Sequence, residues 1–355
     1  MIVYGAAIGT IFAGAVLVIA LFHARIAPPA QEVAAPPAVL SIHFNAPPGS
    51  LFAGELVAEE AGFFRRSNVS PVFQFGRSSE DAIAAVAEGR ATVGVADPIS
   101  FLKARAKGQA IVAFAADYVE NSTVFYSLEK SGIRAPEDFI GKRVGRIAGS
   151  HSAIFYDALL NRRGISRGTV RETADQVDVE GLLSDAIDVI PGRIGVEGSV
   201  LRQSGAPFNT VRLLDSGIHV PDLVYFTNEK TLRERPSVLV RLVEAIVAGW
   251  SRTYADPGAA ARIIAGKGRP PLSADQAAFE LSAQRDFVLT VGRRVMEYDA
   301  QQWKQLVQLL INARQLDEYF DLARAVNYDI LKDAYRKPIS FGADLGAEPP
   351  PIAGR

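Results

Sequence analysis

Cysteine is absent from this 355-residue chain. That excludes disulfides, thiol catalysis, iron–sulfur clusters and cysteine-ligated zinc together. Histidine is scarce: His23, His43, His151 and His219 lie far apart, with no H-E-x-x-H pair to hold a catalytic metal. Charge of one sign is lacking as well. Lys and Arg number 38 and Asp and Glu 39, a formal net charge of −1, so no basic excess seeks a polyanion and the reading is of no nucleic-acid partner. There is no G-x-S-x-G nucleophile elbow, no G-x-x-x-x-G-K-[ST] phosphate loop and no G-x-G-x-x-G behind the first strand, so no catalytic residue, metal or cofactor is expected. What remains is 48% apolar and 22% charged residues, the balance of a folded chain with room for about two domains.

Residues 2–22 carry no charged side chain, and about 20 apolar residues cross a bilayer as a helix. A cleaved signal is the rival reading, but the only positive charge ahead of the run is the amino terminus and the available cleavage sites are poor. Residues 1–25 therefore read as a transmembrane anchor or signal, the anchor being favoured. Residues 26–38, with Pro28-Pro29 and Pro36-Pro37, read as a stiff Pro/Ala-rich linker. Arg25, behind the segment, argues for a cytoplasmic body, yet one Arg is weak against the ability of long folded domains to translocate.

Beyond the linker, short apolar strands alternate with helices. Strands are expected at 39–44, 69–75, 92–96 and 109–115, then at 122–128, 143–147, 186–190, 211–214 and 223–226. Helices are expected at 51–64, from Ser78 or Ser79 to Gly89, from Asp97-Pro98, and from Ser150 to about Arg163. This β-loop-α order argues for an α/β fold of mostly parallel sheets with helices on their faces. After Asn228 the chain turns helical: Leu239, Leu242, Val243, Ile246 and Trp250 recur at helical spacing, as do Trp303, Leu306, Val307 and Leu310. Residues 336–355, with Pro349-Pro350-Pro351, read as a disordered tail.

In open α/β sheets ligands bind beyond the carboxyl ends of the strands, and the polar loops fall there. Arg77, Ser78 and Ser79 offer a cation, hydroxyls and the N–H groups of a helix start, the ingredients of an anion site. Ser150, His151 and Ser152 repeat that form. Phe44 and Asn45 end the first strand; Asp97 starts a helix, Asp188 ends its strand facing the same rim, and Asp222 stands near the second crossing between the two α/β runs. Each has a plainer reading, as a helix cap, a loop brace or a solvated charge.

Several segments resemble the nitrate/sulfonate/taurine/thiamine-precursor group of ABC-transporter substrate-binding proteins. They are residues 52–64 (FAGELVAEEAGFF), 87–95 (AEGRATVGV), 102–108 (LKARAKG), 133–145 (IRAPEDFIGKRVG), 227–230 (TNEK) and 236–250 with Ala255-Asp256-Pro257. The resemblance runs from about Leu40 to Tyr335. It implies a two-lobed periplasmic binding protein fold of type II, with lobe one at 39–122 plus 219–335 and lobe two at 123–218. It also implies a small organic anion or heteroaromatic compound held between the lobes and passed to an ABC permease. The loops at 45–50, 77–79 and 150–152 would line the cleft. The expected place is the periplasm, tethered to the inner membrane. A ligand sensor of the same fold is an alternative. So is the branch that makes the thiamine pyrimidine, but that branch depends on a cysteine-rich iron motif and this chain has no cysteine.

Overall fold

The computed structural model describes residues 36–339. The expected anchor, nearly all of the linker and the tail from residue 340 lie outside the described residues. Among those described, no helix is long and apolar enough to cross a membrane.

Among the described residues ten strands form, in chain order: β1 (Ala38–Phe44), β2 (Val69–Phe75), β3 (Val93–Ala96), β4 (Ile111–Tyr118), β5 (Thr123–Leu128), β6 (Arg143–Gly145), β7 (Arg171–Thr173), β8 (Ile190–Arg193), β9 (Phe208–Arg212) and β10 (Asp222–Asn228). The first sheet has the order β2-β1-β3-β10-β4. β1 runs parallel to β2 and β3, while β10 is antiparallel to both β3 and β4. The carboxyl ends of β1, β2 and β3 therefore share one edge, which gathers the loops after Phe44, Phe75 and Ala96.

The second sheet, β8-β5-β9, departs from the expected parallel arrangement: both of its pairings are antiparallel. Parallel pairing there is confined to β6 with β7 and a bridge between Val144 and Val189. The chain crosses between the two sheets at 119–122 and again at 213–221.

The expected strand at 186–190 is displaced, since β8 begins at Ile190 and runs through Pro191 and Gly192. β8 is an edge strand, where a missing N–H costs no ladder bond. The expected helix at 51–64 is broken. Gly62 takes a left-handed φ of 71° and separates Ala53–Glu60 from Phe63–Arg66.

The long helix Pro236–Ala255 starts on proline and buries Leu239, Leu242, Val243, Ile246 and Trp250, the stripe read from the sequence. It lies across the helix Ala53–Glu60, directly behind the loop that follows β1. In the helix Ala300–Asn312, Trp303, Leu306 and Leu310 are buried and Val307 is half-buried.

Candidate functional site

Three helix starts build the site. Ser78 caps the helix Ser79–Ala87 by accepting from the Asp81 amide. Asp97 caps Pro98–Ala106 by accepting from the Ser100 amide at 2.8 Å. Ser150 caps His151–Arg162 by accepting from the Ala153 amide. Each cap satisfies one of the N–H groups a helix start leaves over, which is why Ser and Asp stand there.

The caps are stitched together by side chains. Asn45, just beyond β1, donates to Ser79 Oγ at 3.1 Å. Ser79 Oγ also accepts the Asp97 amide at 2.9 Å, which locks the ends of β1, β2 and β3 to one another. Asp97 Oδ1 then meets His151 Nδ1 at 3.2 Å. The His151 helix follows β6, so this contact joins the edge of the first sheet to the strand-end loop beyond β6. Ser150 and Ser152 hydroxyls lie 3.0 Å apart on the same turn. The Asp97 side chain is 18% exposed and that of His151 39%, so the pair is open to solvent on one side. Arg77 is exposed and bonds no described residue. The arrangement holds a carboxylate, an imidazole, hydroxyls and helix-start dipoles in fixed positions, which suits recognition of a small polar solute by hydrogen bonds.

Of the eleven residues expected to bind, Asn45, Ser79, Asp97 and His151 are joined directly, and Ser78, Ser150 and Ser152 flank them. Three others do different work. Phe44 is fully buried, with its ring 4.6 Å from Phe52 and 5.0 Å from Phe75 by centroids; it is core. Asp188 precedes β8 and is consumed by Arg143, through Nη2 at 2.7 Å, Nε at 3.1 Å and the backbone amide at 2.8 Å. Those bonds hold its carboxyl below the usual carboxylate range. Asp222 is 3% exposed and accepts from Ser122 Oγ at 2.5 Å and Arg193 Nη1 at 3.1 Å. It braces the crossings between the sheets.

Sequence reasoning passed over Arg193 and Ser122. Pro191-Gly192 reads as the end of a strand, which hides the cation that follows; only the pairing of β8 with β5 brings Arg193 to Asp222. It also left His43 without a role. Both ring nitrogens of His43 are buried without a partner, and a side chain at Gly76 would come within 2.5 Å of its Nε2. A surface hollow of about 740 Å³ lies elsewhere, between the helices His151–Arg162 and Ala300–Asn312, and none of the eleven residues lines it.

The sequence profile described as NMT1/THI5 like matches residues 50–260, more than half of the chain. The chain belongs to the NMT1/THI5-like family. Its fold is that of periplasmic binding proteins. The periplasmic aliphatic sulphonate binding protein SsuA of Escherichia coli superposes with a TM-score of 0.66 at 14% identity, covering 82% of this chain and 92% of that one. The alkanesulfonate-binding protein SsuA of Xanthomonas axonopodis pv. citri, bound to MOPS, gives 0.61 at 16% identity, covering 83% and 100%. A curated relative, the 4-amino-5-hydroxymethyl-2-methylpyrimidine phosphate synthase of Legionella pneumophila, is 22% identical over 285 residues, 78% of this chain and 87% of its own. The proteins it is similar to thus include solute-binding proteins, alike in fold, and an enzyme, alike in sequence.

Proposed function

We propose that this NMT1/THI5-like protein is an extracytoplasmic solute receptor that carries a small organic anion or heteroaromatic compound to an ABC permease and makes or breaks no bond in it. The observation that carries the reading is the chain of contacts from Asn45 through Ser79 and Asp97 to His151. It ties strand-end loops on either side of the sheet crossings, the place where a two-lobed receptor closes on its solute. On this reading residues 39–122 with 219–335 form one lobe and residues 123–218 the other. The solute lies against Ser78, Ser79 and Ser150–Ser152, with Arg77 supplying the positive charge. The body works in the periplasm, held near its permease by the amino-terminal segment, which raises the local concentration of receptor. The likeness to a pyrimidine phosphate synthase supports an enzymatic reading, but the sequence has no cysteine with which to build the iron motif of the thiamine-pyrimidine branch.

A thermal-shift screen of the purified full chain tests this. The panel is sulfonates, nitrate, taurine, aromatic carboxylates and pyrimidines. A solute at a hundredfold its Kd stabilises the folded protein by about 2.7 kcal/mol, which moves the melting curve clearly, and it is recovered chemically unchanged. Stabilisation by a sugar or a cation, with none by any anion or heteroaromatic, overturns the solute class. Arg77→Ala is expected to weaken binding of the best anion about tenfold while leaving the melting of the solute-free protein unchanged, because the side chain is exposed and bonds no described residue. Equal affinity in mutant and parent removes Arg77 from the site.

A further inference from the structure

Two carboxyl groups lie in the interior of the first half of the fold, away from the solute site. Glu55, on the helix Ala53–Glu60, and Asp117, on β4, are both 0% exposed. Glu55 accepts from the Tyr225 hydroxyl of β10. Asp117 Oδ1 accepts from Trp250 Nε1 of the helix Pro236–Ala255 at 2.7 Å. Each side chain keeps a second oxygen, Glu55 Oε2 and Asp117 Oδ2, that is buried and has no donor. Their donors bring the two carboxyls together: Tyr225 pairs with Ala115, two residues before Asp117 on the same face of β4, and the Trp250 indole lies against Gly54, next to Glu55. Two such anions side by side, out of water, would be strongly unfavourable.

The surroundings offer no relief. Tyr225 of β10 donates to Glu55, and the titratable groups near Asp117 are Asp222 of β10, Tyr118 of β4 and Tyr254 of the helix Pro236–Ala255. Glu59 and Glu60, on the same helix as Glu55, are exposed and pair with Lys267 of the helix Pro257–Lys267. Their hydrogen-bond donors, the Tyr225 hydroxyl and the Trp250 indole, are uncharged. Arg193 of β8 answers Asp222 instead. A single proton between Glu55 and Asp117 gives both orphaned oxygens a partner and removes one of the two charges.

We propose that Glu55 and Asp117 share one proton in the folded protein, and that this proton pins the helix behind the Asn45–Ser50 loop to the strand that runs into the first sheet crossing. The pin sits at a junction. Residue 118, next to Asp117, donates through the Tyr118 hydroxyl to Gln284 at 2.8 Å, and Gln284 donates to the Ser50 carbonyl at 2.8 Å. The loop that carries Asn45 is thus held to β4 by two routes, and the proton belongs to one of them.

The direction of the pH effect follows. Burial lifts the Glu55 carboxyl from 4.5 to about 7 and raises Asp117 well above its ordinary value, with the Glu55 charge adding to the effect on Asp117. The folded pair therefore holds protons that the unfolded chain has already released, so stability falls as pH rises through about 7, where Glu55 titrates, and the raised Asp117 adds to the loss with the same sign.

The test compares wild-type full chain with Glu55→Gln and Asp117→Asn in urea unfolding from pH 5 to 9. In the wild type one linked proton raises the unfolding constant by up to about tenfold per pH unit within the window. Both variants, which keep the shape but lose the shared titration, are expected to flatten that slope. Slopes equal to the wild type in both variants overturn the proposal. Should neither variant fold, the wild type alone decides it by infrared difference spectroscopy between pH 6 and pH 9. A protonated-carboxyl stretching band at pH 6, whether or not it persists at pH 9, supports the shared proton, and its absence at pH 6 overturns it. The outcome is independent of which solute, if any, the cleft takes.

Discussion

Gly249→Ala is expected to destabilise the folded protein by about 3 kcal/mol, at the upper end of what one added methyl does to a tightly packed interior. A Cβ at Gly249 would stand 2.0 Å from the Gly54 carbonyl oxygen and 2.8 Å from Ala58 Cβ. The opposite glycine is no freer, for a Cβ at Gly54 would meet the Trp250 ring at 2.4 Å. Neither obstacle yields cheaply. The Gly54 carbonyl belongs to helix backbone, and the indole is fixed by its bond to Asp117 and by stacking on Tyr254 with centroids 5.9 Å apart. The helices Ala53–Glu60 and Pro236–Ala255 would have to move apart, shifting the end of the Asn45–Ser50 loop that leads into the first of them. A shift of the urea midpoint at unchanged slope measures the loss. A loss under about 1 kcal/mol would mean that the two helices slide freely, and the close crossing would then be no fixed support for the site.

The helix starts around the site were the most legible part of the sequence, because capping is local. Ser78, Asp97 and Ser150 stand where Ser and Asp satisfy the N–H groups of a helix start, and each one does so here. The parallel run of β1, β2 and β3 was legible for a similar reason: strand, turn and helix follow one another within a few residues. Phe44 shows a local rule left unused. Leu40, Ile42 and Phe44 alternate on the buried face of β1, so the strand period places Phe44 in the core and only Asn45 beyond it. Asp188 could not have been resolved that way, since its partner Arg143 is 45 residues distant. The helix Ala274–Val288 passed unnoticed because its buried positions include Ala277 and Gln284 beside Leu281 and Val288, a stripe too weakly apolar to read. Its Gln284 is buried for hydrogen bonds to Tyr118 and Ser50, which no periodicity reveals. The antiparallel second sheet stayed hidden because β8 contains Pro191 and Gly192, residues that argue against a strand except at an edge.

At the sheet crossings, Arg193→Ala is expected to cost about 2–3 kcal/mol, and Asp222→Asn no more than about 1 kcal/mol, although the two substitutions break the same ion pair. The asymmetry comes from burial. The Asp222 side chain is 4% exposed and that of Arg193 31%. Removing the guanidinium leaves an anion in the interior with only Ser122 and the Leu223 amide to answer it, and an uncompensated buried charge is the expensive product of a broken pair. The figure is set below that of a fully buried pair because water reaches Arg193. Removing the carboxylate charge leaves Arg193 able to turn to solvent, still bonded to Ser122 Oγ. The consequence reaches beyond stability, because Arg193, Ser122 and Asp222 come from β8, the first crossing and the end of the second. Leu223, whose amide Asp222 accepts at 2.9 Å, holds a φ of 49° in the left-handed region, a conformation that a side chain of its size keeps only when its surroundings insist on it. Loss of Arg193 loosens the crossings between the two sheets, so on the proposed receptor reading Arg193→Ala is expected to weaken solute binding while Asp222→Asn leaves it within about twofold. Urea midpoints and binding titrations of the two variants decide this together. Equal losses in both would mean that Asp222 is hydrated in solution, and the crossings would then be joined by Asn121 and Pro221 rather than by the ion pair.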